Sequence, residues 1–312
     1  MKYLITGCCG FLGTNLALKL LSQGHEIYGI DNFITGSKNN LEKLTKYDKF
    51  TFDEIDVCEI KHFKNPDYIF NLACPASPVH YSSFPIETMN TCYIGLKNLL
   101  EYCQRANIPI FQSSTSEVYG DALVWPQTED YYGNVNCYGP RSCYDCGKRI
   151  SETLCYEFSK IGTNVHIARI FNTYGPYMQT NDGRVISEFI NKALNNKNLI
   201  INGDGFTTRS FCYVDDMIDI ILKFSNSEFY NKPINIGNQN EFTLIDLASL
   251  IIKIANSQSN IEFHNFKKDD PKRRKPDISL AKKILKCEPK IDLKKGLKYT
   301  IEYFNLIRKN DI

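Results

Sequence analysis

The chain has 312 residues, enough to bury one large core or two unequal ones. Its 43% hydrophobic and 23% charged content is that of a globular protein, and 37 Lys+Arg against 35 Asp+Glu argue against a general nucleic-acid binder. No apolar run reaches the length of a membrane span, and the chain opens directly on a strand; the expectation is a cytoplasmic protein without a signal peptide, its 12 cysteines reduced.

Lys2 to Thr6 is a short apolar strand that runs into Gly7-Cys8-Cys9-Gly10-Phe11-Leu12-Gly13. Asn15 to Gln23 reads as an amphipathic helix stopped at Gly24, and a second strand, Glu26 to Ile30, ends in Asp31. Strand, glycine turn, helix, strand and acid, in that order, predict a dinucleotide site. Gly7 permits the tight turn, Gly10 lets the backbone approach a pyrophosphate at the helix N-terminus, and Gly13 allows close helix–strand packing. Asp31 would accept bonds from the adenosine ribose and repel a 2′-phosphate, which favours NAD over NADP. Phe11 and Leu12, with Asn32, Phe33 and Gly36 beyond the acid, complete this cofactor contact set.

The pattern continues with a third strand, Phe50 to Ile55, ending at Asp56-Val57, the predicted adenine edge. A fourth, Asp67 to Leu72, leads through Leu72-Ala73 into Cys74-Pro75-Ala76-Ser77-Pro78. That turn stands at a strand's carboxyl end, where such sheets bind ligands. Thr88 to Ala106 is a long helix, Ile108 to Ser113 a fifth strand, and Asn164 to Ile170 a sixth. Between the last two, Pro140 to Lys160 is a helix that carries Tyr144-x-x-x-Lys148. Positions i and i+4 share a helix face, so the lysine cation is expected to lower the tyrosine pKa from about 10 toward the range of a usable base.

Beyond Asn172-Thr173-Tyr174-Gly175-Pro176 the rhythm changes. Helices are predicted over Arg184 to Asn195, Met217 to Asn226, Thr243 to Ala255 (capped by Thr243), Ile278 to Leu285 and Leu293 to Ile307, with a short strand from Pro233 to Gly237. Asp269-Asp270-Pro271-Lys272-Arg273-Arg274-Lys275-Pro276-Asp277 is either a solvated loop or a phosphate clamp. The fold class is α/β: a Rossmann-type doubly wound parallel sheet with a smaller, interleaved C-terminal substrate-binding domain. Residues 1–175, with 211–240 returning to them, form the dinucleotide domain; 176–210 and 241–312 form the smaller one. Cys143-x-x-Cys146 has redox or metal spacing, but it lies on the Tyr144 helix rather than at a strand–helix junction and has no second pair at zinc spacing; the histidines form no metal spacing, so no metal is expected.

Together, Gly7-x-x-Gly10-x-x-Gly13, Thr115-Ser116-Glu117-Val118-Tyr119-Gly120 and Tyr144-x-x-x-Lys148 resemble the extended short-chain dehydrogenases/reductases that act on nucleotide sugars. Pro75-Ala76-Ser77-Pro78, Gly139-Pro140-Arg141-Ser142-Cys143-Tyr144-Asp145, Asp182-Gly183-Arg184-Val185 and Lys275-Pro276-Asp277-Ile278 make the chain look most like the UDP-glucuronate decarboxylase branch, nearly end to end. The resemblance implies a retained NAD and a UDP-sugar substrate. Tyr144 would take the proton of the sugar's C4 hydroxyl, aided by Lys148 and Thr115. Ser116, Glu117 and Arg209 would sit near C5 and the carboxyl, Glu117 either repelling the substrate carboxylate or held protonated as a donor. Pro75, Ala76, Ser77, Arg141 and Tyr213 join the substrate contacts. Asn172, Arg184 and Arg273 or Arg274 would grip the pyrophosphate, and Leu199 to Gly205 would face the uracil. A homodimer through the Thr88–Ala106 and Tyr144 helices is implied as well.

Three departures stand out from that family. Cys8-Cys9 replaces a Gly-Ala pair, Cys92 replaces an Asn whose hydrogen bond buttresses the active-site backbone, and Tyr177 replaces an Arg. A nucleotide-sugar 4-epimerase or 4,6-dehydratase, and a non-catalytic NAD-binding sensor, are the alternative functions. Ser116, where a dehydratase would carry an acid, and the complete Thr115, Tyr144 and Lys148 set weigh against them.

Overall fold

The computed structural model describes residues 1–265 and 273–310, so Asp269 to Lys272 of the basic loop lie outside the described residues. Six parallel strands follow in chain order: β1 (Lys2–Thr6), β2 (Glu26–Asp31), β3 (Phe50–Glu54), β4 (Tyr68–Asn71), β5 (Ile110–Thr115) and β6 (Val165–Ile170). With the strand Pro233–Ile236 they form a seven-stranded sheet, ordered Pro233–Ile236, β6, β5, β4, β1, β2, β3. Every pairing in it is parallel, so crossover helices cover both faces and the strands are nearly all apolar inside. The order reverses between β1 and β4, which opens a crevice at the strands' carboxyl ends.

One apolar cluster runs from Ile5 and Leu16 through Ile218 and Ile221 to Leu297 and Phe304, tying the sheet to the C-terminal helices. A second, with Leu4, Ile69, Leu99 and Ile167, fills the opposite face. Among the described residues, two-stranded sheets join Leu199–Asn202 with Ile261–His264 and Thr208–Ser210 with Glu241–Thr243 in the C-terminal part, and Thr173–Tyr174 with Cys212–Tyr213 beside the main sheet. Among the described residues no helix is long and apolar enough to cross a membrane.

The helix expected to start at Asn15 begins at Phe11 and runs to Ser22. Its first turn is hidden in the sequence because Gly13, an unfavourable helix residue, lies inside it. The expected long helix begins at Pro85 (Pro85–Asn90) and continues as Leu96–Ala106, with a π-turn, Thr91–Gly95, between the two parts. Gly95 sits there because a Cβ would lie 2.6 Å from Val57 Cγ1. The short helices Lys38–Leu44 and Pro78–Ser83 and the strand Ile261–His264 carry too little periodicity to be read in advance. Thr243 caps the helix Leu244–Ala255 by accepting from Asp246 N at 3.1 Å.

Gly13 is fixed by contact rather than by φ: a Cβ would lie 2.1 Å from Gly7 O and 2.9 Å from Cys8 Cα, both backbone atoms. Gly13→Ala should cost about 1–3 kcal/mol of unfolding free energy by overpacking the turn, measured by urea denaturation. An unchanged midpoint would mean that the helix can move away from β1.

Candidate active site

The crevice is a cavity of about 550 Å³. Gly7, Gly10, Phe11, Leu12 and Gly13 line one wall, Leu72, Ala76 and Ser77 the floor, and Thr115, Ser116, Glu117, Arg141, Tyr144 and Lys148 the far end. Asn172, Arg184, Arg209 and Arg274 close it from the C-terminal side.

At the near end the helix Phe11–Ser22 points its N-terminus into the cavity with Gly10 as N-cap, no side-chain cap and no acidic residue in its first turn. Its first amides are therefore not capped by a side chain, and the helix dipole favours an anion there. Gly7 has φ +68°, and a Cβ on it would lie 2.9 Å from Ala73 N. The cradle fits a dinucleotide pyrophosphate.

Asp31 ends β2 and accepts from Cys9 N at 3.0 Å and Phe33 N at 2.9 Å. A Cβ on Gly36 would meet its Oδ1 at 2.5 Å. Burial raises the Asp31 pKa against the backbone hydrogen bonds that lower it. Asn32 donates to Asp56 Oδ2 at 2.8 Å, so the segments that follow β2 and β3 are joined. The Val57 side chain is buried in the second apolar cluster against Gly95. Cys8, Cys9 and Asp31 have potential ligand atoms within 4.8 Å of one another, a cluster that no spacing rule had singled out.

At the far end β5 delivers Thr115, and a 3-10 turn, Ser116–Tyr119, follows it. Thr115 Oγ1 accepts from Glu117 N at 3.3 Å, which fixes the turn. The helix Ser142–Ser159 presents Tyr144 and Lys148 on one buried face. Lys148 Nζ donates to Ser113 O at 2.9 Å and lies 5.9 Å from the Tyr144 ring centre. Glu152 of the same helix accepts from Ser114 Oγ at 2.5 Å and holds Arg169 through two bonds of 3.0 and 2.8 Å, locking the helix to β5 and β6.

The expected low phenol pKa is not what this geometry produces. Burial pushes Tyr144 up to about 12, and the Lys148 charge and the Thr115 hydrogen bond only partly offset it. Burial opposes the charge on Lys148, but Cys74, Cys92 and Tyr144 outweigh it and raise its pKa, so it remains an ammonium. Tyr81, which carried no sequence signal, stacks on Tyr144 with ring centres 5.1 Å apart and an interplanar angle of 9°.

Glu117 is buried, which would raise its pKa, yet Arg274 and Arg141 outweigh burial and lower it. Arg274 holds it in a fork, Nε to Oε1 and Nη2 to Oε2 both at 2.9 Å, and Arg141 Nη2 pairs with Oε2 as well. The protonated-donor form expected as one option for Glu117 is therefore disfavoured. Arg274, expected on the pyrophosphate, stands instead at the catalytic end. Arg273 leaves the cavity: it forks onto Glu241 with two bonds of 2.6 Å and lies over Trp125. Tyr213 is also outside, buried between Tyr174 and Tyr299.

Pro75 is buried beneath the turn, and Ser77 accepts from His80 N at 3.4 Å to cap Pro78–Ser83. Arg184 caps Val185–Leu194 and pairs with the buried Asp182 at 2.6 Å. Asn172 Nδ2 donates to Ser210 O at 3.3 Å, and Arg209 Nη1 to Thr208 O at 2.9 Å. Of Leu199 to Gly205, Asn202 reaches the cavity wall. Tyr177, in place of an Arg, lines the cavity and packs on Tyr303 at 5.1 Å. Cys143 donates to Tyr81 O, while Cys146 is hydrogen-bonded to Cys137, so the Cys-x-x-Cys spacing forms no pair of its own.

The model of the NAD dependent epimerase/dehydratase family matches residues 3–237. UDP-glucuronic acid decarboxylase 6 of Arabidopsis thaliana is 46% identical over 308 residues, 98% of this chain and 89% of the relative. UDP-glucuronic acid decarboxylase 1 of Danio rerio is 45% identical over 305 residues, 97% of this chain and 72% of the relative. Among solved structures, UDP-glucose 4-epimerase of Thermotoga maritima with UDP-glucose superposes with a TM-score of 0.90 at 28% identity, over 99% of this chain and 100% of the other. The UDP-glucuronic acid 4-epimerase of Bacillus cereus, in complex with UDP-glucuronic acid and NAD, gives 0.89 at 27% identity over 98% and 100%.

Glu117 has a folded pKa below its ordinary 4.5, so its ionised form stabilises the fold above that pH, and the contribution fades as pH falls through the folded value. Glu117→Gln should cost about 1–3 kcal/mol at pH 7, because it removes the buried carboxylate that both half-buried guanidiniums bond, while Arg141 keeps Asp145 at 3.7 Å. The gap to the native protein should narrow below pH 4.5, measured by denaturation at several pH values. A gap that does not change with pH would place the carboxylate's ionisation outside the folding equilibrium.

Proposed function

We infer, for a chain that belongs to the NAD dependent epimerase/dehydratase family, that it decarboxylates UDP-glucuronate to UDP-xylose and regenerates NAD in each turnover. The observation that carries the reading is Glu117 held by Arg141 and Arg274 beside Ser116, at the same end of the cavity as Thr115, Tyr144 and Lys148. The resemblance to decarboxylases over almost the whole chain supports it.

Gly7, Gly10 and Gly13 would hold the pyrophosphate of NAD at the helix N-terminus, and Asp31 would take its adenosine ribose. When bound, NAD supplies a positive charge and the acceptor for the hydride that leaves C4 and later returns. Tyr144 takes the C4 hydroxyl proton, with Lys148 and Thr115 stabilising its phenolate. The oxidised sugar is a β-keto acid, so CO₂ departs from C5 and the electrons of the broken bond pass into the C4 ketone; the enolate takes a proton at C5, and Tyr144 gives its proton back to the C4 oxygen as the hydride returns. Arg274 and Arg141 attract the substrate carboxylate, while Glu117, ionised, disfavours a second carboxylate close by, a strain relieved as CO₂ forms. Ser116 offers a hydroxyl where an acid would repel the substrate. Asn172, Arg184 and Arg209 hold the UDP portion from the C-terminal side.

A second copy of the chain completes this reading. Ile86, Met89, Tyr93 and Ile94 along the Pro85–Ala106 helices, and Ile150 and Tyr156 on the Tyr144 helix, are exposed apolar side chains on two helical segments that pack together. A two-fold pairing of these segments would bury them in a closed interface. The 12 unpaired cysteines suit a reducing compartment, which supports a cytoplasmic location.

Purified protein given UDP-glucuronate should release CO₂ and form UDP-xylose without accumulating NADH. UDP-galacturonate without CO₂ would make it an epimerase, and conversion of UDP-glucose to a 4-keto-6-deoxy sugar a dehydratase. Tyr144→Phe keeps the ring against Tyr81 and should cut turnover by more than about 10²–10⁴-fold. Near-native turnover in that variant would remove Tyr144 from the chemistry. Light scattering at micromolar concentration should return a dimer, and a monomer would refute the paired-helix interface.

A further inference from the structure

Cys74 and Cys92 meet behind the catalytic lysine. Cys74 sits in the turn after β4, partly buried on the cavity wall, and its Sγ lies 3.6 Å from that of Cys92. Cys92 belongs to the π-turn Thr91–Gly95 and is 3% exposed. A Cβ on Gly147, one residue before Lys148, would lie 3.2 Å from Cys92 Sγ, so the sulfur fills the space that this glycine leaves on the Tyr144 helix. Ser151 Oγ donates to Cys92 O at 2.8 Å and holds the π-turn against the same helix. Two thiols from separate elements, the turn after β4 and the π-turn, thus converge at one point, Cys74 on the cavity wall and Cys92 behind it against the Tyr144 helix.

We propose that Cys74 and Cys92 form a redox site: a peroxide oxidises the pair to a disulfide and silences the enzyme, and a dithiol reverses it. The mutual hydrogen bond and the Lys148 charge, working against burial, hold the Cys92 thiol down at about 7, so one sulfur of the pair is readily a thiolate. The shared hydrogen bond lets Cys92 take the proton of Cys74, whose sulfur faces the cavity; that sulfur attacks a peroxide oxygen, the O–O bond breaks, Cys74 becomes a sulfenic acid and hydroxide leaves. The neighbouring thiol then displaces the sulfenic oxygen as water, forming the S–S bond. Two electrons pass from sulfur to peroxide, and a dithiol returns them by exchange.

Closure from 3.6 Å to a bond of about 2.05 Å must move the Cys74 turn, the π-turn, or both. The first carries Ala76 and Ser77 on the cavity wall, and the second packs on Gly147. It also replaces a thiolate by a neutral disulfide beside Lys148, whose charge the two cysteines favour. A shift of about 1 Å in such a site can cost on the order of 100-fold in rate.

The test is peroxide titration of the purified enzyme at neutral pH. Unreduced peptide mapping should recover the Cys74 and Cys92 peptides linked, two hydrogens lighter than the reduced pair. CO₂ release should fall about 100-fold in step with the linkage, and dithiothreitol should restore both. Cys92→Ser, compared with itself before and after peroxide, should lose the response. Absence of the linkage, linkage without loss of turnover, or inactivation that persists in Cys92→Ser would each overturn the proposal. If Cys92→Ser does not fold, the native protein decides, through the match between linkage and turnover during oxidation and dithiothreitol recovery. Linkage is read by mass alone, so an error about the sugar substrate would show as absent CO₂ release before any peroxide is added.

Discussion

The site depends on the parallel pairing of β1 with β2 on one side and β4 on the other. The crossover that follows β1 leads away to β2 and the one that follows β4 leads away to β5, in opposite directions, so neither covers the gap between β1 and β4. Everything chemical gathers around that gap: the glycine turn after β1, the acid at the end of β2, the Cys74 turn after β4 and Thr115 at the end of β5. The backbone contacts at Gly7 and Gly13 let the first helix approach closely enough to aim its N-terminus into the crevice.

Charge burial is the second organising feature. Lys148, Glu117, Arg209 and Asp182 are each less than a tenth exposed, and each has an identified partner. Burying ions is costly unless they are paired and hydrogen-bonded, so a protein that keeps them pre-sets the field in its cavity. Here the field has two ends. A helix N-terminus awaits an anion near Gly10, and a carboxylate between two guanidiniums stands near Tyr144. The high pKa of the Tyr144 phenol belongs to the same balance, because the dry surroundings that strengthen these pairs also penalise a phenolate.

The doubly wound sheet was legible because strands and helices alternate with clear periodicity through the first six strands, and glycines and prolines punctuate them. The Gly7–Gly13 turn and the Tyr144–Lys148 pair were legible for a similar reason: each is a local spacing whose geometry follows from one turn or one helix. Short or interrupted elements were not. Gly13 disguised the first helical turn, and the π-turn at Cys92 has no periodic signature of its own. Arg273 and Arg274 were read as interchangeable neighbours in a basic run, yet they point to Glu241 and Glu117 respectively. Successive residues in extended backbone face opposite ways, and a composition argument does not see which way each one goes.

By itself the sequence determined the fold class, the dinucleotide turn and the family, because each is written in residues close together along the chain. Tertiary structure alone decided that Glu117 is ionised, that Arg274 rather than Arg273 meets it, that Tyr213 lies in the core, and that Cys74 and Cys92 touch. These are contacts between residues 18 to 157 positions apart. Their energies depend on distance and burial, which are set only when the sheet's carboxyl edge, the Tyr144 helix and the C-terminal loops are packed around one cavity.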